Sequence, residues 1–144
     1  MSIKPILIVW GEPNSVFSEI FLKSIRRYKS KKPIILIGSK KLLINQIKKL
    51  NIKFNTNSIN MISENLNNIK TNKINLINVD YKFTKPFEKI TSKSSSYIFN
   101  CYKKALFIIS KNEVSGLING PVSKKSFLRK RYLGITEFLA KKFK

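Results

Sequence analysis

Apolar residues along this chain fall into short unbroken runs, separated by stretches in which they recur every three or four positions. "PILIVW" (5–10) is β-branched, entered by proline and closed by "GEPN", which predicts a buried strand. Asn14 or Ser15 can cap a following helix, with Phe17, Ile20, Phe21, Ile25 and Tyr28 on one face and cations opposite and toward its end. "PIILIG" (33–38) predicts a second buried strand. Ser39 to about Leu50 predicts a second helix, with Leu43, Ile47 and Leu50 turned inward. From about Asn55 to Lys73 the chain is rich in Asn and Ser and weakly periodic, so a loop with at most one poor helix is expected. "INLINVD" (74–80) is a third strand. The polar connection "KFTKPFEKITSKSSS" (82–96) ends in serines suited to capping a long helix over about 95–111, with Ile98, Cys101, Tyr102, Ala105 and Ile109 on one side. "VSGLING" (114–120) is a fourth strand. Strand and helix alternating at this spacing predict a parallel sheet with helices on its faces.

Charge changes the picture. The 144 residues carry 29 Lys and Arg against 7 Asp and Glu, a formal net charge of +22 without histidine. Such an excess attracts polyanions, so a basic nucleic-acid-binding domain is one reading. The base is nearly all lysine, however, with arginine only at Arg26, Arg27, Arg129 and Arg131. Readers of phosphates and bases favour the arginine fork, and lysine accumulating on solvated faces beside abundant Ile and Asn explains the charge without nucleic acid. Cys101 is the lone cysteine, which excludes an internal disulfide and makes it a small core residue on its helix face. No stretch approaches the roughly 20 apolar residues that cross a bilayer, and the N-terminal run lacks a signal-peptide pattern. A soluble cytoplasmic protein forming one domain over 1–144 is the expectation.

Three segments carry candidate chemistry. "WGEPNSVFSE" (10–19) is a strand-to-helix turn holding Glu12, at the strand end where α/β proteins place ligands. The first amides of the next helix could hold a phosphate there, although a Gly-Glu-Pro turn is equally a structural device. "NGPVSKK" (119–125) reads as a second turn of that design, with Pro121 at the first helical position and Lys124 projecting from the first turn. A cation there opposes the helix dipole, which points to a negative partner or to one more solvated lysine. In "GITEFLA" (134–140) Thr136 can cap a helix that turns Phe138 and Leu139 inward, with Glu137 in its first turn. Without histidine or a cysteine cluster, no imidazole base and no soft-metal site can be assembled.

In order, these segments resemble the family of 4-hydroxythreonine-4-phosphate dehydrogenase, the PdxA-type enzyme of vitamin B6 biosynthesis. That family has an early strand leading into Gly-(Asp/Glu)-Pro and a Pro-Glu-Ile-like helix start, matched by "WGEPNSVFSEIFLK" with Glu19 and Ile20 in register. "PIILIGSKKLL", "SKSSSYIFNCYKKAL" and "VSGLINGPVSKKSF" follow the family order, and the family's Gly-His-Thr-Glu-(Phe/Tyr)-Leu-Ala is matched by "GITEFLA". The resemblance implies a three-layer α/β/α fold like that of isocitrate and isopropylmalate dehydrogenases, here incomplete. It also implies a homodimer, a phosphorylated small-molecule substrate, NAD (or NADP), and a divalent metal acting as Lewis acid on the oxygen of a secondary alcohol. Oxidation of 4-phosphooxy-L-threonine would be followed by loss of CO2.

The departures are equally specific. Thr136 keeps one implied substrate contact, whereas Ile135 occupies the family's histidine position and cannot hydrogen-bond. The glycine-rich step has become "NSVFS". The family's three metal-binding histidines, most of its phosphate contacts and its cofactor site fall in segments absent from these residues, which cover less than half of a family member. A piece of a longer gene product is therefore expected, inactive alone, with a non-catalytic remnant as the other reading.

Overall fold

The computed structural model describes residues 3–29, 31–54, 56–59, 69–70 and 73–143. Five strands, β1 (Ile6–Val9), β2 (Ile34–Gly38), β3 (Thr56–Ser58), β4 (Ile74–Asn78) and β5 (Gly116–Asn119), form a sheet of order β3-β4-β2-β1-β5. Every neighbouring pair is parallel, with Leu7 opposite Ile35 and Leu117, and Leu36 opposite Leu76. Helices α1 (Phe17–Ile25), α2 (Lys40–Lys49), α3 (Ser95–Ser110) and α4 (Ile135–Lys142), with a short 3-10 helix (Ser92–Ser94), complete the described elements.

Side chains alternate across a strand, so each apolar run feeds two cores. Leu7, Val9, Ile35, Ile37 and Ile77 pack with Ile98, Cys101, Tyr102, Ala105 and Ile108 of α3 and with Phe138 of α4. Ile8, Trp10, Ile34, Leu36, Ile74 and Leu76 pack with Phe21 and Leu22 of α1 and Leu42 and Leu43 of α2. These two cores on opposite faces of one parallel sheet are the expected α/β/α sandwich. Cys101 is fully buried, and burial pushes its thiol up to about 12, as suits an inert core residue.

Four expectations need correction. Ile20 is 57% exposed, while Ser18 and Leu22 are buried in its place, because the apolar stripe of α1 runs through 18, 21, 22 and 25. The stretch read as a loop contains β3, which has no apolar pattern of its own; most of the remainder, where one poor helix was considered, lies outside the described residues. "GPVSKK" opens no helix. After β5 the chain runs through turns until α4, Ser123 taking the amides of Phe127 and Leu128 on its carbonyl. Thr136 is not a cap either: Gly134 precedes the helix, and the Glu137 carboxylate accepts the Leu133 amide at 2.8 Å.

One buried polar group of the sheet is fully matched inside the protein. Asn75, fully buried in β4, accepts from the Lys70 amide and from Asn57, and donates to the carbonyls of Ile34 and Lys70. All four hydrogen-bonding positions of its carboxamide are thereby used, and they tie β3 to β4 where apolar side chains are lacking.

Candidate functional site

The carboxyl ends of β1 and β5 lie side by side and present the two turns singled out from the sequence. Gly11 has φ 78°, a conformation open to glycine, and the Glu12 amide donates to the Pro121 carbonyl at 2.7 Å. A methyl group on Gly120 would overlap the Trp10 carbonyl, so the two turns meet backbone to backbone.

Glu12 is 1% exposed. One carboxylate oxygen accepts the Asn14 amide at 3.2 Å, and the other lies 2.8 Å from Ser94 Oγ, just before α3. Burial raises its proton affinity above the ordinary carboxylate value, and these two hydrogen bonds partly offset that. Ser94 Oγ also lies 3.0 Å from the Thr91 carbonyl. A hydroxyl has one proton, so a protonated Glu12 can donate to Ser94 while Ser94 donates to Thr91.

The rest of this turn is bound to Tyr81, Glu88 and Gln46. Asn14 donates to Tyr81 Oη and accepts the Glu88 amide. Gln46 of α2 donates to the carbonyls of Pro13 and Pro86 at 3.0 and 2.7 Å. Ser15 Oγ donates to the Glu12 carbonyl and accepts the Phe17 amide, but Val16 takes the capping position of α1 and no side chain caps it, so neither Asn14 nor Ser15 holds the place expected. The Ser15 amide goes to the Glu12 carbonyl. The amides of Asn14, Ser15 and Phe17 are engaged internally, which leaves the turn fewer free donors for a phosphate or pyrophosphate. The buried carboxylate adds like charge against such a ligand.

The other candidates stand apart from it. Lys124 is exposed on the irregular turn after β5, and its carbonyl accepts the Lys130 amide. Ile135, the first residue of α4, packs its side chain against the core, whereas Thr136 is exposed beside it. Among the described residues no hydrogen bond or ion pair joins Glu12, Lys124 and Thr136. Gln46 and Tyr81, which organise the β1 turn, carry no signal in the sequence, and Asn14 and the serines of "SKSSS" read there simply as helix caps.

The described residues do not fit a divalent metal. Histidine is absent from the sequence, and among the described residues no group of three or more His, Cys, Asp and Glu could hold one. No described helix is long and apolar enough to cross a membrane.

Known proteins agree with this architecture. A family model described as pyridoxal phosphate biosynthetic protein PdxA matches residues 29–144. The 4-hydroxythreonine-4-phosphate dehydrogenase structure from Klebsiella pneumoniae is similar with a TM-score of 0.77 and 22% identity, over 96% of this chain and 44% of that one. The corresponding structure from Burkholderia phymatum gives 0.76 and 18%, over 98% of this chain and 44% of the other. This chain spans less than half the length of either structure, and at such identities the likeness establishes the fold. No curated protein matches the sequence.

Proposed function

This chain belongs to the PdxA family of pyridoxal phosphate biosynthetic proteins, and from that premise we propose that it supplies a substrate-contacting segment of a 4-hydroxythreonine-4-phosphate dehydrogenase, with residues 1–144 acting as one domain. The assembled enzyme, a cytoplasmic homodimer, would oxidise the secondary alcohol of 4-phosphooxy-L-threonine. NAD (or NADP) would accept the hydride, and the β-keto acid formed would lose CO2. No step is assigned to a metal, whose ligand set these residues do not form.

The observation that carries this reading is the start of α4, within the segment matched to the family. Thr136 is open to solvent while Ile135 turns into the core. Of the family's His-Thr pair, a hydroxyl that can both donate and accept is retained, and the imidazole contact is replaced by packing. Glu12 serves as the carboxylate that fixes the neighbouring strand end, and Lys124 is free to attract a phosphorylated substrate without being aimed by a helix.

Calorimetric titration of the purified chain with 4-phosphooxy-L-threonine tests the proposal. Thr136→Val keeps the shape and removes the hydroxyl, and should weaken binding roughly fivefold, the worth of one hydrogen bond. Equal affinity in the variant, or no binding by the parent chain, would overturn the assignment. We expect no NADH from these 144 residues alone; its appearance would contradict the inactive-alone reading.

A further inference from the structure

On the core-facing side of α4, away from Thr136, the first turn of α3 and the 127–132 segment enclose a cleft of about 360 Å³. Its floor is aromatic. Phe138 sits at the centre, with Phe127 at 4.9 Å between ring centroids, Tyr132 at 5.3 Å edge-on and Phe99 at 6.4 Å edge-on. Phe127 and Phe138 are buried, whereas Phe99 and Tyr132 are half-exposed, so aromatic surface remains open to the cleft.

Its rim is cationic. Arg129, Arg131 and Lys142 line it, together with Ser95 and Ser96 at the positive end of the α3 dipole. Half of the chain's four arginines therefore stand at one small cleft, although lysine supplies nearly all of the remaining charge. Neither guanidinium makes an ion pair or side-chain hydrogen bond among the described residues. No acidic residue lines the cleft, and nearby Glu137 is already held by Lys141 at 2.9 Å and by the Leu133 amide. The rim is also fixed in place. The Lys130 amide donates to the Lys124 carbonyl and the Arg131 amide to the Leu128 carbonyl, with Arg129 and Lys130 held at φ 51° and 56°. Non-glycine residues adopt that conformation at a cost.

We infer that this cleft binds a small planar aromatic phosphate monoester. The ring would lie on the aromatic floor, and the phosphate would sit between the two arginine forks and Lys142. Three cations without a counter-carboxylate favour a dianion over a carboxylate, and arginine forks match phosphate oxygens two at a time. The volume lies at the low end of small-molecule sites, large enough for one ring and its substituent. The inference does not depend on the dehydrogenase reading, since it uses neither Thr136 nor Ile135.

Calorimetry of the 144-residue chain with phenyl phosphate, inorganic phosphate and benzoate tests it. Phenyl phosphate is expected to bind at least about tenfold more tightly than either, because each of them lacks one half of the recognition. Arg129→Ala with Arg131→Ala should reduce that affinity at least about tenfold, while Lys103→Ala with Lys104→Ala, on another cationic face, should change it less than about twofold. Arg131→Lys keeps the charge and the surface character but loses the fork, so a loss of about threefold is expected in a variant sure to resemble the parent fold. Equal binding of inorganic phosphate would reduce the site to general anion attraction and overturn the proposal. So would equal losses in the lysine pair, or unchanged affinity in Arg131→Lys. A single-stranded oligonucleotide that displaces phenyl phosphate at far lower concentration would overturn it in favour of nucleic acid.

Discussion

The turns that follow β1 and β5 begin alike and end as opposites. Both place glycine and proline at the carboxyl end of a parallel strand, and they touch through the Glu12 amide and the Pro121 carbonyl. Beyond that contact the first turn closes on itself. Its carboxylate and its asparagine are spent on Ser94, Tyr81 and Glu88, its Pro13 carbonyl on Gln46, and the amides of Asn14, Ser15 and Phe17 on groups of the turn itself. The second turn opens into a basic segment whose Lys124, Arg129 and Arg131 side chains make no ion pair among the described residues. A turn at the right end of a sheet is therefore a ligand site only if its donors remain uncommitted. The β1 turn is a structural lock, and the β5–α4 side is where anions can be received.

The comparison can be broken most severely where the two turns meet. Gly120→Ala would drive a methyl into the Trp10 carbonyl and should cost about 3 kcal/mol in urea unfolding, as overpacking against rigid backbone does. A parent-like midpoint would show that the turns are not so close.

Ser94→Ala comes next. It strips a buried carboxylate oxygen of its partner and should cost about 2 kcal/mol at neutral pH. Glu12→Gln sharpens the same point with the opposite sign. Because burial raises the folded-state proton affinity of Glu12, the penalty of ionising it is absent below the ordinary value of 4.5 and grows as pH rises through the folded value. The glutamine variant should therefore melt higher than the parent above that range and converge with it in acid. A variant that melts lower at neutral pH would mean that the charge itself holds the lock.

The smallest effect belongs to the open side. Gly134 has an extended backbone at φ −164° with nothing near a would-be methyl. Gly134→Ala should therefore shift stability by less than about 0.5 kcal/mol.

Much of this fold was legible because the strands β1, β2 and β4 are apolar on both faces, and a buried parallel strand has that appearance in sequence. The start of α2 at Ser39 was readable for a local reason, since its side chain accepts the amide of Leu42 three residues on. β3 was not, because "TNS" is held through the Asn57–Asn75 pair rather than by apolar burial. Hydrophobicity alone places Ile20 inward, although its position in the 3.6-residue period points outward. The lock was invisible for another reason: Glu12 and Ser94 lie 82 residues apart, and only the folded chain brings the acid to the hydroxyl. Likewise nothing local distinguishes a helix-opening Gly-Pro from the irregular turn that follows Pro121.

The most direct test is a residue-by-residue amide NMR titration of the chain with inorganic phosphate. The account predicts shifts along 129–142 and at Ser95 and Ser96, with the amides of Glu12, Asn14, Ser15 and Phe17 unmoved because those donors are already engaged. Saturable shifts at Asn14, Ser15 and Phe17, with the β5–α4 side silent, would contradict it.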